Sequence, residues 1–142
     1  MTLELDDTWE DMRSAALQAM SSAHAPYSNF RVGAVLETPD GRRYVGCNVE
    51  NASYPVTMCA ERVALGSAVV DGATTFGRLF LCADSQEPAP PCGMCRQALA
   101  EFAPDLVIVS EGTAGTRVEW RLADLLPAMF RLRPPASDGG PA

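Results

Sequence analysis

Two cysteine groups, Cys59 on one side and the pair Cys92 and Cys95 on the other, stand where helices are due to begin. Each follows a strand-like or loop segment and precedes a run that reads as helical. A helix start carries free N–H groups and partial positive charge, which favour thiolate over thiol. This placement points to strands feeding helices, with the chemistry gathered at the helix starts.

The rest of the chain reads the same way. Residues 8–24 read as the first helix, because Trp9, Met12, Ala16, Leu17 and Met20 recur at helical spacing. Thr8 followed by Asp11 resembles a capping box with Asp in the usual place of Glu, and Pro26 blocks further helix. Residues 30–37 and 43–47 are strand-like and flank turn chemistry at Pro39-Asp40-Gly41, so they read as an antiparallel hairpin. Residues 58–70 read as a helix, 79–83 as a buried strand, 93–102 as a helix and 106–110 as a strand. Residues 118–122 read as a last strand and 122–129 as a short helix broken at Pro127. Strands alternating with helices imply a sheet covered on both faces, and the hairpin makes it mixed. The expected fold class is α/β: a three-layer α/β/α arrangement around a mixed sheet of about five strands. One domain is expected over residues 1–133, and residues 134–142, rich in Pro, Gly, Ser and Ala, read as a disordered tail.

Composition narrows the class of function. A chain of 142 residues suits one core, and 47% apolar residues are too many for a disordered chain. No window reaches the ~18 consecutive apolar residues of a membrane helix. The acidic start, Met1 to Asp7, lacks the basic region of a signal peptide, so a cytoplasmic protein is expected. A net charge of −7 without a basic run is poorly suited to a phosphate backbone; neither nucleic acid nor membrane is an expected partner. Five cysteines, an odd number, argue against a disulfide framework and for metal or redox chemistry. With His24 as the one histidine, any zinc site must rely mainly on thiolates.

Cys92-Gly93-Met94-Cys95 alone is ambiguous between zinc binding and redox exchange. Cys59 is the natural third ligand, because Glu61 lies two residues on and can move a proton. Three protein ligands leave the fourth tetrahedral position open for water, the pattern of a catalytic zinc, one per chain. A structural zinc or redox module is the competing reading; it would not need Glu61 and would tend to close the fourth position. Three thiolates and one Zn²⁺ sum to a negative cluster, which needs positive charge nearby. The helix starts supply part, and Arg62, beside Glu61, is the best candidate for the rest, with Arg96 second. Cys82, in an apolar run, and Cys47 read as packing residues, and His24 as a residue near a helix end.

The cysteines and Glu61 match both halves of the zinc deaminase signature, C-x-E and P-C-x-x-C. The stretches Ala25-Pro26-Tyr27-Ser28-Asn29-Phe30-Arg31-Val32-Gly33-Ala34, Gly46-Cys47-Asn48-Val49-Glu50-Asn51-Ala52-Ser53-Tyr54, Cys59-Ala60-Glu61-Arg62 and Pro91-Cys92-Gly93-Met94-Cys95-Arg96-Gln97 resemble the cytidine deaminase family, in its small homotetrameric branch. The similarity runs from Trp9 to Phe130; Met94 stands where Ala is common. The resemblance implies hydrolytic deamination of cytidine and deoxycytidine in pyrimidine salvage, with Glu61 passing protons from a zinc-activated water to ring N3 and to the leaving amino group. It implies that Asn48 and Glu50 hold the ribose 3′-hydroxyl, that Phe30 lies against the pyrimidine, and that the Ala60 N–H bonds the base O2. It also implies that Ala52, Tyr54 and Phe130 are lent to a site of a neighbouring subunit. An enzyme for a cytosine-bearing antibiotic nucleoside, of the blasticidin type, is the alternative within deaminases; intact Asn48, Glu50 and Arg62 speak against it.

Overall fold

Side chains alternate across the central strands and divide the interior into two cores. In the computed structural model, which describes residues 3–133, the chain forms α1 (Asp7–Met20), β1 (Val32–Glu37), β2 (Arg43–Cys47), α2 (Ala60–Val70) and β3 (Arg78–Ala83). It continues through α3 (Gly93–Ala100), β4 (Val107–Glu111), β5 (Arg117–Arg121) and α4 (Leu122–Leu125). Ala34, Leu36, Leu79, Leu81 and Ile108 face the side covered by α2, α3 and α4. Val35, Phe80, Cys82 and Val109, one position out of step, face Met12 and Ala16 of α1. The result is the expected three-layer α/β/α fold. The tail read over residues 134–142 lies outside the described residues.

The sheet order is β2-β1-β3-β4-β5. β1 pairs antiparallel with both β2 and β3, β3 pairs parallel with β4, and β4 pairs antiparallel with β5. A parallel pair needs a crossover, and α3 lies within it, so the start of α3 opens at the carboxyl end of β3. Two glycines let helices press onto opposite faces of the sheet. A Cβ on Gly33 would stand 2.0 Å from the Ala16 carbonyl of α1, and one on Gly46 would stand 2.2 Å from the Ala60 carbonyl of α2. Gly46 thus sets how closely the start of α2 lies against β2.

Several boundaries differ from the sequence reading. The cap of α1 is Asp6, whose carboxylate accepts the Trp9 N–H at 3.0 Å and the Thr8 hydroxyl at 2.7 Å, so the expected Thr8 capping box does not form. The carboxylate is the stronger acceptor for the free N–H groups of the first turn. The helix ends at Met20, short of His24, because Ser21 turns its hydroxyl back to the Gln18 carbonyl at 2.6 Å. His24 is drawn into a backbone bridge with Val49 instead. Of the residues at helical spacing, Met12 and Ala16 are buried, whereas Leu17 is 39% exposed. β1 starts at Val32 and not Phe30, because Asn29 takes a left-handed φ of 55° and the Phe30 N–H goes to the Ser28 hydroxyl at 2.9 Å. α4 ends at Leu125, and α3 at Ala100.

Two buried carboxylates pin the α1 face of the sheet. Glu37 bonds Arg43 at 2.7 Å and Arg78 at 2.6 Å, and Arg78 also lies over the Trp9 ring at 4.6 Å. Glu111 bonds Arg13 of α1 at 2.8 Å and Arg117 at 2.6 Å. A buried charge needs such pairing, and here each acid has two guanidinium partners.

Candidate active site

Cys59 is the N-cap of α2 and Cys92 the N-cap of α3, so both thiols sit at helix starts as the sequence requires. Cys95 lies one turn into α3 and is buried. The three Sγ atoms come within 4.8 Å of one another, and Cys59 and Cys92 are 3.8 Å apart. Tetrahedral zinc with bonds of about 2.3 Å demands sulfur separations of about 3.8 Å, which the Cys59–Cys92 pair meets, and all three sulfurs lie close enough to share one ion. Among the described residues the group has three members and no fourth protein ligand. Cys82 packs in the α1 core, and Cys47 stands apart from the group.

The thiols share charge unequally. The Cys95 thiol bonds to Cys59, and with help from Arg62 holds it down to about 5, against the effect of burial. Cys95 itself is pushed up, by that bond first and by burial second. Arg62 lies where the charge argument places it. Its Nη2 donates to the Thr57 carbonyl at 3.1 Å and to Cys59 Sγ at 3.7 Å, which aims the guanidinium at the thiolates. Arg96 does not share that task. It bonds the Pro91 carbonyl at 2.8 Å and the Leu125 carbonyl at 3.0 Å, so its guanidinium is committed to two backbone carbonyls. Its contribution is to hold the loop before Cys92 and the end of α4 against α3.

Glu61 is 5% exposed and lines a cavity of about 210 Å³ together with Cys59, Cys92, Ala60, Phe30 and Asn48. Burial pushes its carboxyl above the ordinary carboxylate range, the Cys95 thiol opposes this by bonding to it, and the Cys59 thiolate adds to it. A carboxyl, two thiols and one aromatic wall therefore converge on one largely apolar cavity. Asn48 is 8% exposed; its amide donates to the Phe30 carbonyl at 2.7 Å and accepts the Val32 N–H at 2.9 Å.

The other residues named from the sequence are not brought into this cavity within the chain. Glu50 borders an adjoining hollow with Tyr27, Ser28, Asn51 and Tyr54, and Thr57 lines both. Ala52 is exposed, and Tyr54, on a 3-10 turn, is 72% exposed with its edge to Tyr27. Phe130 is 69% exposed. Its backbone is clamped by Gln97, whose amide donates to the Phe130 carbonyl at 3.0 Å and accepts its N–H at 3.1 Å. Gln97 and Thr57 received no role from the sequence; Gln97 lay in a quoted motif, yet its partner is 33 positions away.

The profile of the cytidine and deoxycytidylate deaminase zinc-binding region matches residues 7–111. The chain belongs to this family. Among its deaminase relatives, a cytidine deaminase from Sporosarcina psychrophila is 42% identical, over 85% of this chain and 90% of that protein. A cytidine deaminase from Halalkalibacterium halodurans is 43% identical, over 81% of this chain and 88% of its own length. The crystal structure of a cytidine deaminase from Burkholderia pseudomallei superposes with a TM-score of 0.82 at 43% identity, covering 85% of this chain and 98% of that one. The deaminase fold and its zinc-binding region are thus both present here, and the family's metal is one Zn²⁺ per chain.

Proposed function

We propose that this deaminase hydrolyses cytidine and deoxycytidine to uridine and deoxyuridine, releasing ammonia. The observation that carries the reading is the buried Glu61 carboxyl in the same cavity as the Cys59 and Cys92 thiols. Cys59, Cys92 and Cys95 hold the zinc. Zinc held there supplies Lewis acidity to a water molecule, which makes it a nucleophile near neutral pH. Glu61 takes one proton from that water and delivers it to ring N3, then takes the remaining proton from the hydroxyl added at C4 and carries it to the amino group, which leaves as ammonia. Burial keeps the Glu61 proton from exchanging with bulk solvent between these steps. Phe30 forms a wall for the pyrimidine, the Ala60 N–H at the start of α2 bonds O2, and Asn48 and Glu50 read the sugar hydroxyl. Arg62 withdraws charge from the thiolates.

The chain acts as a homotetramer in which Ala52, Tyr54 and Phe130 complete a neighbour's site. In support, Tyr27, Tyr54, Val56 and Phe130 are large apolar residues left uncovered on the single chain. The free thiols of the site suit the reducing cytoplasm, where pyrimidine salvage runs. A structural zinc module is disfavoured by the three-member donor set and by Glu61, a costly buried acid that such a module has no use for. The test is to mix protein with cytidine, deoxycytidine, free cytosine and blasticidin S in parallel. Loss of absorbance with equimolar ammonia from the first two supports the proposal. Turnover of blasticidin S alone, or of none with zinc bound, would refute it.

A further inference from the structure

Three hydrogen bonds converge on the Glu50 carboxylate from the loop that precedes β1. Oε1 accepts the N–H groups of Tyr27 at 3.0 Å and Ser28 at 3.2 Å, and Oε2 accepts the Ser28 hydroxyl. The same Ser28 oxygen accepts the Phe30 N–H at 2.9 Å. On the other side of Phe30, its carbonyl accepts from Asn48 at 2.7 Å. Both residues assigned to the sugar hydroxyl therefore also fix the backbone of the residue assigned to the base. Asn48 does so directly, and Glu50 does so through one serine.

The chemistry of the serine suits a link of this kind. A hydroxyl has one donor and two acceptor sites, and here the donor goes to Glu50 and an acceptor to Phe30. The intervening Asn29 holds a φ of 55°, a left-handed conformation that asparagine readily adopts and that turns the chain between Ser28 and Phe30. An ionised carboxylate offers about four acceptor positions. The loop occupies three, which leaves Glu50 oriented with acceptor capacity toward the hollow it borders. The Ser28 bond is also the foremost cause that holds Glu50 below the ordinary carboxylate range, and so charged.

We infer that Ser28 is a positioning residue whose hydroxyl couples the Glu50 carboxylate to the Phe30 backbone, so that the sugar and base contacts are set as one unit. This rests on the nucleoside reading above. Ser28 touches no reacting atom, so its loss should act on binding and not on the chemical step.

The experiment compares the wild-type chain with Ser28→Ala, Ser28→Thr, Glu50→Ala and the double variant Ser28→Ala/Glu50→Ala. Each is loaded with zinc, assayed on cytidine, and examined by amide hydrogen exchange at Phe30. Ser28→Ala should raise KM about fivefold with kcat within about twofold, the scale of one partly solvated charge-assisted bond. Ser28→Thr, which keeps the hydroxyl, should restore KM. On the Glu50→Ala background the Ser28 change should cost less than about twofold, because its partner has gone. The Phe30 amide should exchange faster in Ser28→Ala and not in Ser28→Thr. An unchanged KM, full multiplication of the two single effects, or a collapse of kcat with KM intact would overturn the inference. If wild type proves inert toward cytidine, the nucleoside reading fails, and the exchange data then decide the coupling alone: unchanged Phe30 exchange in Glu50→Ala refutes it, and faster exchange in Glu50→Ala as well as in Ser28→Ala, reversed in the latter by Thr, supports it.

Discussion

A methyl group on Gly46 would stand 2.2 Å from the Ala60 carbonyl oxygen and 2.6 Å from the Ala64 nitrogen, both backbone atoms of α2. Real Cβ atoms essentially never come closer than 3.0 Å, so in Gly46→Ala the helix start must retreat by the difference from 2.2 Å, about 0.8 Å. Neither neighbour is the flexible end of a side chain, so the strain cannot be relieved by a rotamer change. Overpacking of this kind costs about 3 kcal/mol, which lowers the melting temperature by roughly 10 °C in a chain of this size. The same movement displaces Cys59, the N-cap of α2, relative to Cys92; the two sulfurs now stand 3.8 Å apart. A displacement near 1 Å at a catalytic centre costs on the order of a hundredfold in kcat/KM. The control is Gly66→Ala, on α2 itself, where an added Cβ meets nothing within 4 Å. There the substitution should stabilise by about 0.5–1 kcal/mol, because alanine favours helix over glycine. Thermal unfolding and zinc content measured on both variants check the pair. A Gly46→Ala protein as stable as wild type, or a Gly66→Ala protein destabilised to the same degree, would refute the close-packing argument.

Arg62→Ala should lower kcat about tenfold and move the acid limb of the pH–rate profile upward, because the thiolates lose their guanidinium partner; an unshifted limb would contradict the role. Cys92→Ser should cut bound zinc well below one per chain while Cys47→Ser leaves it unchanged, as read by metal analysis of purified protein. Glu111 supplies a stability test: burial alone would raise its carboxyl, but Arg13 and Arg117 outweigh burial and hold it low. A carboxyl depressed by folding gives stability that is complete above its unfolded value of about 4.3 and is lost as pH falls through its folded value. The wild-type melting temperature should therefore fall more steeply than that of Glu111→Gln below about pH 5, and equal slopes would exclude this carboxylate from the acid response.

The parts of the fold and site that were legible in sequence are those set by local chemistry. Cys59, Cys92 and Glu61 announce themselves by spacing, and the strands by runs short enough to leave one alternative. The boundaries slipped where two adjacent polar residues compete for one task, as with Asp6 and Thr8 at the first cap. Arg62 was readable because its partner is three positions away, whereas Arg96 turned to carbonyls that only the fold brings near. The bond of Arg13 to Glu111 joins residues 98 positions apart, and no periodicity encodes it. Glu50 is assigned to a sugar by resemblance, and its bonds to Tyr27 and Ser28 are invisible in sequence because they depend on how the loop before β1 folds against the segment that follows β2.

Under the proposed mechanism Glu61 moves the protons while three thiolates hold the metal. The direct test is Glu61→Gln, with zinc content and cytidine turnover measured on the same preparation. The proposed mechanism predicts one zinc per chain, retained, with turnover reduced by at least about a thousandfold, since general acid–base catalysis contributes up to about four orders of magnitude. Turnover near the wild-type rate with zinc in place would contradict it.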